Sequence, residues 1–229
     1  MKQRSIQIRR NGKQQGIYNL IQEPYCKRCS SNGKPTELCS WHSRFHPGLT
    51  RVYAMGIYFP DRKTLIKNDI LSQHLWWLKF DSAEWAEPIG TAMALVLRKL
   101  HPEMMDYDLL VPIPPFKGST KNYDHAEELA KIVSHYVGKP WKRMLTKTRQ
   151  EKQVGKTIDE RWSSSEDLFA QAQDIDAAGK SILLIDDICT TGSSLSRSAG
   201  ILSQQGKARR IAAYVSGRDY DTKYPIAES

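Results

Sequence analysis

The chain has few cysteines, no long apolar run and a deficit of acidic residues, and each shortage narrows its class. Only 4 of 229 residues are cysteine, too few for a disulfide-dense secreted scaffold of this length. No apolar stretch approaches the roughly 20 residues that a membrane-spanning helix needs. The amino-terminal stretch MKQRSIQIRRNGKQQG is charged and lacks the apolar segment of a secretory signal. These absences predict a cytoplasmic protein with no membrane span. Internal repeats and low-complexity segments are also missing, which excludes solenoids and biased disordered chains. With 40% hydrophobic and 26% charged residues, the chain has ample material for a packed core. Its length suits one ordinary domain plus an appendage, or two small domains.

The shortage of acid is unevenly distributed. Asp and Glu number 25 against 34 Lys and Arg, a formal net charge of +9. Residues 1–51 hold ten of the basic residues but only Glu23 and Glu37, a net of +8, so the remainder is nearly neutral. A basic segment of this kind favours nucleic acid or another phosphorylated partner, although a basic tail also serves solubility alone.

Three zones follow along the chain. Residues 1–50 combine a basic arm with three of the four cysteines and show little helical or strand periodicity. Cys26-Lys27-Arg28-Cys29 and, after nine intervening residues, Cys39-Ser40-Trp41-His42 form two close-spaced ligand pairs. Three thiolates and an imidazole at this spacing suit tetrahedral zinc, with His46 as an alternative fourth ligand. A disulfide is the competing reading, but it leaves one of the three thiols over. Four protein ligands leave no open coordination position, so the zinc is expected to be structural.

The second zone opens with the apolar, aromatic stretch Val52 to Phe59. It ends in a run where Trp85, Ile89, Met93, Val96, Leu97 and Leu100 recur at helical spacing. The third zone, from about residue 106, alternates strand and helix signals, as in a parallel sheet with crossover helices. Leu109 to Val111 forms a buried strand ending in Pro112, Ile113, Pro114 and Pro115. Residues 122–137 carry one apolar helical stripe, stopped by Gly138 and Pro140. Ser181 to Ile185 is apolar enough for a strand covered on both faces. A helix over about 193–205 and a strand over 211–215 complete the pattern.

The most informative segment is Ile182-Leu183-Leu184-Ile185-Asp186-Asp187-Ile188-Cys189-Thr190-Thr191-Gly192-Ser193-Ser194. A hydrophobic strand delivers two adjacent carboxylates to the carboxyl edge of a sheet, where open α/β folds bind ligands. A loop of Thr, Gly and Ser then opens a helix, so backbone amides and hydroxyls converge on its positive end. Gly192 allows close backbone approach. Carboxylates beside a phosphate cradle would repel the phosphate. They make sense gripping sugar hydroxyls, or a magnesium ion, on the same ligand. A capping turn alone would account for the hydroxyls but not for the paired acids. The loop has no Gly-Lys-Ser/Thr triplet and so differs from a nucleotide P-loop. Cys189 has no evident base beside it and suits packing better than nucleophilic attack.

This segment resembles the phosphoribosyl diphosphate signature of type I phosphoribosyltransferases. The order of features along the chain is similar to ComF-type phosphoribosyltransferases: a cysteine-rich module, a stretch from Ile70 to Phe80 containing Leu78-Lys79-Phe80, a helix, the Val111 to Pro114 strand end, Gln153, Arg161 and Phe169. The resemblance implies an α/β fold with a type I phosphoribosyltransferase-like parallel sheet flanked by helices over 51–229. Residues 1–50 then form the basic arm and zinc-binding module. By the same resemblance, Asp186 and Asp187 are the catalytic acids and hold the ribose hydroxyls. Cys189, Thr190, Thr191, Gly192, Ser193 and Ser194 surround the 5-phosphate, and Lys117, Arg149 and Arg161 are further contacts to phosphoribosyl diphosphate. The run from Lys142 to Arg161 is a candidate closing loop, or simply a solvated surface loop.

The implied activity is transfer of the phosphoribosyl group to a nitrogen nucleophile with diphosphate release, assisted by Mg2+. The alternative is a noncatalytic, DNA-associated protein that senses the same ligand in DNA uptake or processing. Two departures stand out. Lys121-Asn122-Tyr123-Asp124-His125 replaces an Arg-Gly-Phe-Asn-Gln-like stretch, and Thr190 stands where purine-salvage relatives often have Asp. In the family, a fourth Cys more often completes the zinc site. Metal analysis of the purified chain is expected to find one zinc per chain, lost on Cys26→Ser. A chain that carries no zinc after expression in zinc-replete medium would remove the zinc reading.

Overall fold

A computed structural model of the chain describes residues 5–10, 13–20, 48–59, 69–115, 122–147, 169–171, 176–190 and 192–219. The strands are β1 (Ser5–Arg10), β2 (Lys13–Asn19), β3 (Arg51–Tyr58), β4 (Leu109–Pro112), β5 (Leu145–Lys147), β6 (Phe169–Gln171), β7 (Ser181–Cys189) and β8 (Arg210–Asp219). The helices are α1 (Ile70–Phe80), α2 (Ala86–Leu100), α3 (His125–Val137) and α4 (Ser193–Gln204). A four-stranded sheet has the order β3-β8-β7-β4, with every neighbouring pair parallel. This is the α/β class expected from the alternating strand and helix signals. Among the described residues, no helix is long and apolar enough to cross a membrane.

The sheet is covered on both faces because its central strands carry continuous apolar runs, Ile182 to Ile185 and Ile211 to Val215, not alternating ones. The period of two in a strand then divides those side chains between two cores. Leu183 and Ile185 of β7 join Ala212 and Tyr214 of β8 in one core, with Leu71, Leu75 and Leu78 of α1, Ile89 and Met93 of α2, and Leu129 of α3. Ile182 and Leu184 join Ile211, Ala213 and Val215 in the other, under Leu195, Ala199 and Leu202 of α4.

Local signals set the helix ends. Asp124 caps α3 by accepting from the amides of Ala126 and Glu127 at 3.0 and 3.3 Å, so this helix starts at His125, inside the apolar stripe that begins at 122. Gly138 ends it in the left-handed conformation, φ 69°, as expected of a glycine just past a helix. β7 and β8 both run beyond their predicted apolar stretches, to Cys189 and Asp219.

The amino-terminal region needs a correction. Residues 1–50 were expected to show little strand periodicity, yet β1 and β2 form an antiparallel hairpin with an irregularity between Ile8 and Arg9. Its pattern is present but diluted by charge: in β1, Ile6 and Ile8 turn inward while Ser5, Gln7 and Arg9 are exposed. Ile8 and Tyr18 belong to the same core as α1 and α2, and the Tyr18 hydroxyl lies 2.6 Å from His74 Nδ1 of α1. Helix α1 itself also escaped the sequence reading, which treated residues 70–80 only as a stretch preceding a helix. Leu71, His74, Leu75 and Leu78 are its buried, helically spaced side. Cys26, Cys29, Cys39, His42 and His46 lie outside the described residues.

Two glycines let α1 settle on the sheet. Gly56 of β3 and Gly217 of β8 are register partners. A Cβ on Gly56 would fall 2.3 Å from Leu71 Cδ2, and one on Gly217 would fall 2.8 Å from Leu75 Cδ1 and 2.9 Å from Tyr58 Cβ. This close approach sets the height of α1, and with it the position of Lys79, one turn beyond Leu75. Gly217→Ala is expected to destabilise the fold by about 1–3 kcal/mol, the usual range for overpacking. Denaturant unfolding should show a lower midpoint with an unchanged slope; an unchanged midpoint would mean that α1 does not rest on this glycine.

Candidate functional site

The alternation along β7 that sends Ile185 to the α1 and α3 face carries Asp187 to the same side, at the carboxyl end of the strand. Asp187 is only 7% exposed. Its Oδ1 accepts from the Ile188 amide at 2.6 Å. Its Oδ2 faces two basic side chains from separate helices, Lys79 Nζ at 3.3 Å and His125 Nδ1 at 3.6 Å. Both distances exceed the roughly 2.7–2.9 Å of a well-formed charge-assisted hydrogen bond. Oδ2 is sealed from solvent and has no hydrogen bond of normal geometry. The adjacent Asp186 is half-buried, and its Oδ1 accepts from the Asp187 amide at 2.9 Å.

The electrostatics follow from this packing. Burial alone would push the Asp187 carboxyl up, but the Lys79 ammonium, then His125 and the Ile188 amide, outweigh it and hold the group below its ordinary value. Burial works against the Lys79 ammonium in the same way, and Asp187 with Asp186 raises it above its ordinary value. Each partner keeps the other charged. Asp124, the cap of α3, shows the opposite balance: burial, aided by Glu127 and Asp187, pushes it up to about 6 despite the amides it accepts from. Burial likewise raises Tyr58, with Lys79 opposing and Asp219 and Asp187 adding to it.

Beyond the acids, β7 ends at Cys189 and the chain passes through Thr190 to Gly192, which takes the left-handed conformation with φ 78° and ψ 6° and begins α4. That conformation favours glycine. As the capping residue, glycine offers no side-chain acceptor to the first turn, so the positive end of α4 is not neutralised by a cap of the usual Ser or Asp type. Ser193 is buried and Ser194 half-buried at this end. Cys189 is 3% exposed, with Arg218 Nη1 3.9 Å from its sulfur. Burial pushes its thiol up more than Arg218 lowers it, which suits a packing residue and not a thiolate nucleophile.

Asp186, Asp187, Cys189, Thr190, Gly192, Ser193 and Ser194 therefore lie on one strand-loop-helix segment. Thr191, Lys117, Arg149 and Arg161 lie outside the described residues. The residues missed as site members are Lys79 and His125. Each was quoted only inside a stretch compared with the family, because no local spacing shows that the end of α1 and the start of α3 meet over β7. Among the described residues, no group of three or more His, Cys, Asp or Glu side chains is placed to hold a metal ion.

A parallel, helix-flanked sheet with paired acids at a strand end and a glycine-started helix just beyond them defines a protein of the α/β class. Comparison with known proteins adds relatives. The chain is 27% identical over 193 residues to the competence protein ComFC of Bacillus subtilis (strain 168), covering 83% of this chain and 75% of that protein. This similarity bears out the resemblance to ComF-type proteins noted from the sequence. No family model matches. Among solved structures, a purine phosphoribosyltransferase from Pyrococcus horikoshii Ot3 is 16% identical with a TM-score of 0.38, over 67% of this chain and 95% of that one. The glutamine phosphoribosylpyrophosphate amidotransferase from B. subtilis is 14% identical with a TM-score of 0.40, over 57% of this chain. The chain spans only 26% of that enzyme's length.

Lys79→Met is expected to leave Asp187 buried without its main cation. Breaking a fully buried pair costs about 3–5 kcal/mol; with the Lys79 side chain 30% exposed, about 2 kcal/mol is expected at pH 7. In the wild type, the lowered carboxyl contributes stability above its unfolded value of about 3.9, and that contribution is lost as pH falls through the folded value. Thermal melts should therefore show the gap between wild type and variant widest at neutral pH and narrowing below about pH 4. A gap that does not change with pH would mean the lysine acts through packing alone.

Proposed function

We propose that the chain binds phosphoribosyl diphosphate and transfers its phosphoribosyl group to a nitrogen nucleophile with release of diphosphate. The observation that carries this reading is the adjacency of Asp186 and Asp187 at the carboxyl end of β7, followed directly by the glycine-started helix α4. One ligand that presents both vicinal hydroxyls and a phosphate accounts for both features; a simple anion accounts only for the second. Asp187 Oδ2, which lacks a hydrogen-bond donor of normal geometry, supports a hydroxyl-gripping role once the cover formed by Lys79 and His125 opens.

In this reading Asp186 and Asp187 accept hydrogen bonds from the ribose hydroxyls. Asp187 remains an acceptor at neutral pH because Lys79 keeps it ionised. Both carboxylates lie beside a sugar that gains positive charge as its bond to diphosphate breaks, which favours the transition state over the ground state. Thr190, Thr191, Gly192, Ser193 and Ser194 hold the 5-phosphate, and Lys117, Arg149 and Arg161 contact the diphosphate. Magnesium, when bound, supplies charge neutralisation for the departing diphosphate. Asp186 and Asp187 would be the carboxylates available to such an ion, in keeping with the one or two carboxylates that commonly bind Mg2+ beside substrate phosphates.

Within this proposal, residues 51–229 form the transferase-like domain. Cys26, Cys29, Cys39 and His42 hold a structural zinc in the basic region 1–50, whose β1–β2 hairpin packs into the main core. A second reading is favoured by the charge: the net +8 of residues 1–51 suits a chain that senses the ligand without turnover while its basic module meets nucleic acid. The named role of ComFC as a competence protein fits the same reading.

One experiment separates the two. Calorimetric titration with phosphoribosyl diphosphate and Mg2+ is paired with a diphosphate-release assay over a panel of nitrogenous bases and amines. Binding with release that Asp187→Asn abolishes is the result expected. Binding without release for any acceptor selects the sensing role, and no binding at all removes both.

A further inference from the structure

Asp187 Oδ2 cannot meet a ribose hydroxyl as it stands. The atom is sealed from solvent, and Lys79 Nζ at 3.3 Å and His125 Nδ1 at 3.6 Å face it. These side chains retain 30% and 25% of their surface, while that of Asp187 retains 9%. The carboxylate is thus inside and these two side chains form its outer cover. For a hydroxyl to reach it, at least one of them has to move outward. Lys79 is the better suited, since its side chain has four rotatable bonds and stands on the last turn of α1, near the buried ring of Tyr58. His125 stands on the first turn of α3, with its ring edge-on to Tyr123 at 5.4 Å, and Tyr123 is in turn tied to α1 by its hydroxyl on the Leu78 carbonyl at 2.7 Å.

A lysine that leaves a carboxylate needs another anion. Left unpaired at a partly buried site it would lose the interaction that offsets its own desolvation. We propose that Lys79 is a ligand-binding residue of this site: in the empty site its ammonium occupies Asp187, and on binding it moves to a diphosphate oxygen of the ligand and frees Asp187 for the sugar hydroxyls. The exchange is close to charge-neutral. One carboxylate–ammonium contact is replaced by a carboxylate–hydroxyl contact and an ammonium–phosphate contact, so the carboxylate opens fully only to a ligand that carries both groups. This gives the site a preference for phosphoribosyl diphosphate over ribose 5-phosphate that does not depend on the amides of α4. The inference rests on the phosphoribosyl diphosphate reading above.

The test uses the full chain and three probes by calorimetry: phosphoribosyl diphosphate with Mg2+, inorganic diphosphate with Mg2+, and ribose 5-phosphate. In Lys79→Gln, affinity for the first two should fall by at least about tenfold, the effect of losing one charge-assisted contact. Ribose 5-phosphate should bind as in wild type or more tightly, because Asp187 has lost its cover. Lys79→Arg should restore the order of affinities. A variant that weakens all three probes alike would reduce Lys79 to a structural role, and one that leaves all three unchanged would likewise overturn the proposal. Failure of the wild type to bind any sugar phosphate would instead reject the site reading beneath it. If Lys79→Gln does not fold, 13C-methylated wild-type lysines provide a second measurement. The Lys79 signal, identified by its absence in Lys79→Arg, should shift with inorganic diphosphate and Mg2+ but not with an equal concentration of MgCl2. An unmoved signal at saturating inorganic diphosphate overturns the proposal.

Discussion

The structure turns on one buried carboxylate. Asp187 sits at the end of the central strand β7, takes a hydrogen bond from its own chain at Ile188, and is covered by Lys79 of α1 and His125 of α3. An ionised acid so deeply placed persists only if opposite charges are held near it. That requirement fixes the ends of two helices over one strand. The glycine pair Gly56 and Gly217 lowers α1 onto the sheet, and the Asp124 cap starts α3 at His125. Small features remote from the acid therefore set the geometry around it.

The same constraint explains the division of labour between the acids. Asp186 and Asp187 are neighbours in sequence, but a strand sends successive side chains to opposite faces. One is buried beneath Lys79 and His125 on the α1 and α3 side, while the other remains half-buried. The left-handed turn at Gly192 and the start of α4 lie beyond them in a different part of the segment. In the proposed function, this separation along the chain keeps the carboxylates away from the phosphate of the ligand.

Much of this was legible in the sequence, for reasons that differ between elements. β7, β8, α3 and α4 carry strong apolar runs or stripes bounded by Gly, and the acid pair with its Thr, Gly and Ser loop is local, so one window contains it. The hairpin of β1 and β2 was hidden because Lys, Arg and Gln dominate its outer face and only Ile6, Ile8 and Tyr18 mark the inner one. The short strands β5 and β6, three residues each, are too brief to show a period. Lys79 and His125 were illegible as site residues for a different reason. Their meeting depends on how two helices pack on the sheet, and no spacing along the chain encodes it.

The segregated charge also changes meaning once the fold is known. Part of the basic region, from Ser5 to Asn19, is a hairpin rooted by Ile8 and Tyr18 in the main core, so its charge is carried on a structured surface joined to the ligand-binding body. The most direct test of the whole account is a crystal structure of the chain with phosphoribosyl diphosphate and Mg2+. The account predicts ribose hydroxyls on Asp186 and Asp187, the 5-phosphate at the start of α4, and Lys79 displaced from Asp187 onto the diphosphate. A ligand bound elsewhere, or one bound at this site with Lys79 still on Asp187, would contradict it.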